Sequence, residues 1–407
     1  MKDKILPIVK IACFALICFL VFSKVYGILS WKETTGGYQS SAKQLYNTKD
    51  NLIDVAFVGS SHCYCGIFPC FLWRDHGMAA FDMATSGQDK QSSYYMTKEL
   101  LKNQSPKVVC VDVYGLLFDR HTEVGNVYRN MLALKPSRNA IELIDSYVKK
   151  EDRQDFYLRF PIIHNRYKEL TRYDFEEYPY NTYGRGEAVG NFKSRGVGFD
   201  PNVPLVTDEE PIGDEGEKWL EDMEELSKEK DFELVFFVTP FCITEDEQRK
   251  INWVKSYCEK RGLTIFDFNC MMDELGISPE TDFNDELHLA ASGTEKLTAY
   301  FGNWLKSNFD LYDHRGEPKY SIWDMDYQYY VQRNHEAALK NADSANMETY
   351  LGEALNYPNA DIIISLDGDY SDKDSDLEFM GIPREEANEY SKWIYRDGGY
   401  EPVLKRE

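Results

Sequence analysis

The chain has 407 residues, of which 43% are hydrophobic, 14% aromatic and 28% charged. That is enough apolar surface to offset the entropy of ordering, so disorder as the main state is excluded. Lys+Arg of 46 against Asp+Glu of 69 leave a formal charge of −23, which repels a phosphate backbone and excludes nucleic acid as a partner class. Nine cysteines are too few for a disulfide scaffold of this length, and two of them, Cys13 and Cys18, fall in an apolar N-terminal run.

That run extends from Ile5 to Trp31 and is interrupted by Pro7, Lys10, Ser23, Lys24, Gly27 and Ser30. Lys10 and Lys24 can snorkel, and with its flanks the run reaches the roughly 20 residues that a spanning helix needs. Small residues at signal-cleavage spacing do not follow it, which favours an uncleaved signal anchor over residues 1–31. Lys2, Lys4 and Lys10 before the span against Lys24 and Lys32 after it give a slight bias toward a cytoplasmic N-terminus. The expectation is a single-pass protein of the cell membrane, with the rest of the chain extracytoplasmic. The polar residues 32–50 read as a stalk.

Beyond the stalk, Ile53 to Val58 reads as a buried strand that stops at Gly59. Met78 to Asp82 reads as a short strand, Lys90 to Lys102 as a helix and Lys107 to Val113 as a second apolar strand. Asp214 to Lys230 is a charged amphipathic helix, Glu233 to Val238 a strand, Glu245 to Arg261 a helix and Leu263 to Phe268 a further strand. Strands alternating with helices predict the α/β class: a mostly parallel sheet covered on both faces, with sites just beyond the carboxyl ends of the strands. Residues of about 115–210, rich in Tyr, Arg and Gly, read as an irregular insertion over the sheet edge. Within it, His164-Asn165-Arg166-Tyr167 is a polar cluster suited to an anionic or sugar substrate and equally to local ion pairing with Glu169 or Asp174.

Turn residues at Asp313-His314-Arg315-Gly316 break the pattern, and residues 319–407 read as a small α+β region. Helices are expected around Tyr327 to Ala342 and Ala345 to Leu355, a strand at Asp361 to Leu366 and a final helix near Arg384 to Tyr395. Asp367 to Glu378 places carboxylates at the first, third and twelfth positions of a calcium loop. Asp372 stands where that loop needs Gly, so a solvated acidic loop is the better reading. His62, Cys63, Cys65 and Cys70 lack second paired ligands at suitable spacing, and the three cysteines read as structural or buried thiols. No metal and no cofactor is expected.

The residues that point to chemistry are Gly59-Ser60-Ser61-His62 at the end of the first strand and Asp285-Glu286-Leu287-His288 ahead of a helix containing Gly293. A serine just past a strand exposes its hydroxyl at the sheet's carboxyl edge, but it attacks only when a base removes its proton. His288 can be that base, and Asp285 has the spacing to hold the other imidazole nitrogen and fix its tautomer. The plainer alternatives are a turn serine that caps the following helix and a histidine at a helix N-terminus.

In these motifs the chain resembles the SGNH/GDSL-type hydrolases over residues 51–318. Residue by residue, the resemblance places Ser61 on the nucleophile, Asp285 on the orienting acid and His288 on the base. Phe81 to Gln88 resembles the block that supplies an oxyanion-hole N–H, which puts Gly87 beside the N–H of Ser61. The Asp that precedes the serine in that family is Ser60 here. The family's oxyanion-hole Asn has no counterpart after the Lys107 to Val113 strand, where Tyr114-Gly115 stands, so a third donor is left open between Gln88 and a side chain from the insertion.

The anchor and the insertion resemble the membrane-anchored branch related to the D-alanyl-lipoteichoic-acid transfer protein (DltD) and to envelope O-acyl transfer proteins. That resemblance implies a three-layer α/β/α fold and a serine esterase or O-acyltransferase acting on an envelope glycan or teichoic-acid-like polymer, with a multispanning membrane acyltransferase as partner. Anchoring favours transfer, because a membrane-bound donor is presented at high local concentration. The alternative is a non-catalytic envelope assembly or glycan-binding protein on the same fold, favoured by the missing Asn and opposed by the intact Ser61, Asp285 and His288.

Overall fold

The computed structural model describes residues 2–30, 38–117, 130–170, 174–175, 195–328, 330–331, 362–365, 377–378, 382–396 and 399–405. The chain divides into two compact units, Met1–Tyr327 and Gln328–Glu407.

The first unit is built on five strands: β1 (Val55–Val58), β2 (Ala80–Asp82), β3 (Val108–Asp112), β4 (Glu233–Val238) and β5 (Thr264–Asp267). They pair in parallel in the order β2-β1-β3-β4-β5. The unbroken apolar runs of the sequence have their reason here, since β1 and β3 are buried at every position and both faces of the sheet are covered.

The period-2 alternation sorts the side chains between two cores. Ala56, Val58, Val109, Val111, Phe236 and Val238 join Met96, Leu143, Trp219 and Ile251. On the opposite face Val55, Phe57, Val108, Cys110, Val235 and Phe237 join Leu297, Phe301 and Leu305. Phe301 is the centre of the second core, edge-on to Phe57 at 6.0 Å and to Phe237 at 5.7 Å.

The flanking helices carry their own start and stop signals. Helix Glu245–Arg261 begins in a capping box of Thr244 and Glu247 and ends at Gly262 with φ +69°. Helix Asp214–Lys230 opens on Asp214, Glu215 and Glu217 and closes on Lys228 and Lys230, charges that complement its macrodipole, while Trp219, Leu220, Met223 and Leu226 turn to the sheet.

Two expectations about the first unit change. Residues 38–47 of the expected stalk form helix Tyr38–Asn47, and its Ala42 and Leu45 are buried in the sheet's core. Lys43 and Asn47 are exposed, whereas the polar Gln44 is buried with Ala42 and Leu45. The insertion is helical over 138–163, with helices Arg138–Tyr147, Arg153–Leu158 and Phe160–Ile163, and irregular as expected over 195–210, where the one regular element is the 3-10 turn Val203–Leu205. The first of the three helices begins where Ser137 accepts the N–H of Ala140.

The N-terminal helix, Lys2–Leu29, contains a stretch, Val9–Leu29, long and apolar enough to cross a membrane, with a mean hydropathy of 2.2.

In the second unit β8 (Ile362–Ser365) pairs antiparallel with β9 (Tyr390–Arg396), which pairs antiparallel with β10 (Gly399–Lys405). The expected final helix therefore stops at Glu389. From Tyr390 onward, Trp393, Ile394 and Tyr395 suit a pleated surface better than a helix, and the Asp397-Gly398 pair is a hairpin dipeptide. The expected helices at 332–355 and residues 366–376 of the acidic loop lie outside the described residues.

Candidate active site

The strand order reverses direction between β1 and β3, which opens a crevice at their carboxyl ends. Gly59 and Ser60 lead from β1 into the short helix Ser61–Gly66. Ser60, rather than Ser61, is the N-cap, accepting the N–H of His62 at 3.2 Å. Its hydroxyl donates to Asp112 Oδ2 at 2.9 Å, and its N–H reaches the same oxygen at 3.3 Å. The carboxylate at the end of β3 thus clamps the turn that presents Ser61. The clamp leaves no room at Gly59, where a Cβ would stand 2.4 Å from Asp112 Cβ and 3.0 Å from Cys63 Cβ.

Asp285 and His288 are carried by a two-stranded hairpin, β6 (Phe283–Asp285) and β7 (His288–Leu289), in which the two residues pair directly. The hairpin is fixed at its tip by the Cys242 N–H donating to Glu286 O at 2.7 Å, and at its base by the Ala290 N–H donating to Asp282 O at 2.8 Å. Behind it runs helix Ala291–Asn308, whose Thr294 and Thr298 hydroxyls donate to the carbonyls of Cys65 and Gly66. Two threonines one turn apart thereby satisfy the orphan carbonyls of the serine's helix and hold the two distant stretches of sequence together.

The outcome is a relay. His288 Nε2 lies 2.8 Å from Ser61 Oγ, and His288 Nδ1 lies 2.8 and 3.0 Å from the two Asp285 oxygens. Asp285 also accepts the Leu287 N–H at 2.9 Å and the Asn284 amide at 2.9 Å. Burial pushes its carboxyl upward, but the Leu287 N–H, His288 and Asn284 outweigh that and leave it below the usual range. An ionised Asp285 fixes a proton on Nδ1 and leaves Nε2 free to accept the serine proton.

The block after β2 flanks the serine. Met83 and Thr85 donate their N–H groups to the carbonyls of Phe57 and Gly59, and Ser86 Oγ lies 2.6 Å from Tyr64 OH. Gly87 adopts φ +60°, a conformation open to glycine at no steric cost. Gln88 is buried, and its side chain is turned inward to Ser93 at 3.2 Å and Thr85 at 2.8 Å. The expected use of its amide as an oxyanion donor is corrected accordingly.

Thr85 Oγ1 also lies 2.7 Å from Asn130 Oδ1. One hydroxyl proton cannot serve both amide oxygens, so one amide turns its NH2 toward Thr85. Gln88 does so without loss, because Ser93 can donate in exchange. Asn130, fully buried, then keeps an NH2 with no partner among the described residues.

Sequence reasoning gave no role in this neighbourhood to Asp112, Asn130, Tyr114 or His62. His62 is stacked on Tyr114 at 3.5 Å and lies 5.4 Å from the His288 ring. Burial, with His288 nearby, holds its pKa well below the usual histidine range, so it is a neutral ring behind the relay. The available signal for Asp112 was an acid closing an otherwise apolar strand; Asn130 carried none.

The polar cluster of the insertion lies against the N-terminal helix. Arg166 Nη1 donates to the carbonyls of Leu29 and Ser30 at 2.8 Å each, and Nη2 to Asp174 Oδ1 at 2.8 Å. His164 Nδ1 lies 2.6 Å from Pro161 O, and Asn165 stands between them in the same short 3-10 helix, His164–Lys168. The ion-pairing alternative for Arg166 is the one realised, with Asp174, and Arg166 is corrected from a substrate contact to a cap on the helix end. Among the described residues no group of three or more His, Cys, Asp or Glu side chains is placed to hold a metal ion.

No family model and no curated protein matches the chain, so the reading of this site rests on its geometry.

Proposed function

We propose that the chain is a membrane-anchored serine esterase or O-acyltransferase of the SGNH type acting on a cell-envelope glycan or teichoic-acid-like polymer. The observation that carries the reading is the continuous Asp285–His288–Ser61 relay, assembled from residues more than two hundred positions apart with both imidazole nitrogens engaged.

In this reading Ser61 Oγ attacks an ester carbonyl as His288 Nε2 takes its proton, and Asp285 stabilises the imidazolium. The N–H groups of Ser61 and Gly87 receive the oxyanion, with the spare Asn130 NH2 as the third donor. Collapse of the tetrahedral intermediate breaks the ester C–O bond. The leaving alcohol takes the proton from His288 and an acyl-Ser61 remains. A sugar hydroxyl or water, deprotonated by His288, then attacks the acyl carbon and restores Ser61. The apolar N-terminal helix supports transfer over hydrolysis, because it keeps the site near membrane-borne donors and a multispanning acyltransferase partner.

A fluorophosphonate probe applied to the full chain tests the reading. Labelling at Ser61 that disappears in Ser61→Ala and in His288→Ala supports an activated serine. A folded wild-type protein that remains unlabelled would overturn it in favour of a binding role.

A further inference from the structure

The foot of the N-terminal helix is packed by chain from the insertion, and the depth of that contact is informative. Phe160 packs against Phe22 in a tilted arrangement with ring centroids 5.3 Å apart, whereas Arg166 holds the carbonyls at Leu29 and Ser30. At 1.5 Å of rise per residue, Phe22 lies about 10 Å along the helix axis below that end. The apolar stretch Val9–Leu29 has 21 residues, which matches a hydrocarbon core of roughly 30 Å. If that stretch fills the core, Phe160 reaches into its outer third.

The side chains around Phe160 agree with that placement. Helix Arg153–Leu158 turns Phe156 inward and leaves Tyr157 and Leu158 42% and 59% exposed. At Arg159 the chain turns with φ +61°, and Phe160 follows. Tyr167 and Phe175, next to the two members of the Arg166–Asp174 pair, are 62% and 61% exposed, and the Lys168 ammonium lies 5.6 Å from the centroid of the Tyr167 ring. Phe160 at the lower level, with Tyr167 and Lys168 beside the helix end, is the order of a membrane boundary: apolar groups in hydrocarbon, amphipathic rings and snorkelling cations at the headgroups. The Arg166–Asp174 pair is itself almost enclosed, with side-chain exposures of 11% and 6%. Helix-end carbonyls at that depth need an internal donor, and Arg166 supplies it.

We propose that the segment from Tyr157 to Tyr167, with Phe175, is a second membrane contact, a monotopic collar inserted in the leaflet around the exit of the N-terminal helix. It fixes the tilt and height of the folded unit above the bilayer, where a flexible stalk would leave both free. The proposal rests on the reading of Lys2–Leu29 as a membrane-spanning helix.

The test is photolabelling of the full chain in phosphatidylcholine nanodiscs carrying a diazirine on the lipid acyl chain, with labelled peptides mapped by mass spectrometry. The expected result is label in Val9–Leu29 and also in the 157–167 peptide, with Leu158→Glu abolishing label around Leu158 while label in the N-terminal helix persists. Label in the N-terminal helix alone would overturn the collar and leave the anchor intact. Absence of label from the N-terminal helix would overturn both. Label at 157–167 that survives Leu158→Glu would overturn insertion as its cause.

Discussion

Asp82 closes β2 one loop ahead of Gly87, and its carboxyl is fully enclosed, with the Ala84 N–H at 2.7 Å and the Cys63 thiol at 3.7 Å as its hydrogen-bond partners. Burial pushes it up from 3.8 to about 8, with those two partners working against the rise and Asp112 adding to it. An acid whose folded pKa lies above its unfolded one binds more protons when folded, so the stability it allows is full below about pH 3.8 and is lost as pH rises to about 8. At roughly 1.4 kcal/mol per pH unit, the cost between pH 5 and pH 7 is about 3 kcal/mol, and above pH 8 it reaches about 6 kcal/mol. Asp82→Asn keeps an oxygen for the Ala84 N–H and removes the titration. Its thermal midpoint should therefore rise relative to wild type by roughly 5 °C more at pH 7 than at pH 5, taking about 2 °C per kcal/mol for a unit of this size. Scanning fluorimetry of both full-length proteins in one detergent at pH 5, 6, 7 and 8 measures the gap. Titrating groups that do not interact with Asp82 are common to the two proteins and cancel. A gap that stays constant with pH would refute the argument, because it would mean that Asp82 ionises in the fold as readily as it does unfolded.

Asp285→Asn should reduce turnover of a small chromogenic ester by roughly four orders of magnitude, since an amide no longer dictates the His288 tautomer; a loss of less than about tenfold would remove Asp285 from the relay. Gly59→Ala should cost about 1–3 kcal/mol in unfolding free energy through the contact with Asp112 and slow fluorophosphonate labelling of Ser61, and wild-type labelling with wild-type stability would show that the turn is not clamped. Arg166→Met should lower stability by about 3 kcal/mol by removing one partner of the buried Arg166–Asp174 ion pair, while the KM for a soluble ester stays unchanged; a raised KM at unchanged stability would return Arg166 to the substrate site.

The parallel sheet was legible because a strand buried on both faces must be apolar at consecutive positions, and such runs at 53–58, 107–113 and 233–238 have few other readings. The relay was legible for a related reason: a Gly-x-Ser turn and an Asp-x-x-His hairpin are local in sequence, so each half could be read without knowing the other. What remained hidden is made of contacts between distant residues. The helix Tyr38–Asn47 was obscured by its polar composition, since even the polar Gln44 is buried beside Ala42 and Leu45 and nothing local marks these as core. Arg166 carries a charge suited equally to a ligand or a helix end, and only the Leu29 and Ser30 carbonyls decide between them. At Tyr390 the sequence holds acidic helix-opening residues and a β-rich continuation in succession, and pairing with Ile362–Ser365 settles where one yields to the other.

The same distinction explains the departure at Ser60. On the SGNH-like reading a carboxylate belongs immediately before the serine, yet here that position is a hydroxyl and the carboxylate enters from β3. Asp112 accepts the Ser60 hydroxyl and N–H with one oxygen and the Tyr114 N–H with the other. It therefore ties the serine turn to the start of the segment on which His62 stacks. Burial pushes Asp112 up to about 6, with the Tyr114 and Ser60 donors lowering it part of the way back. The clamp is then mostly ionised at neutral pH and protonated below about pH 6, which weakens its charge-assisted hydrogen bonds in the acid range. A carboxylate beside the serine in sequence would hold only its own turn. Placed on the neighbouring strand, it couples the ends of β1 and β3, the two paired strands between which the strand order reverses, and so makes the position of Ser61 a property of the sheet rather than of a single loop.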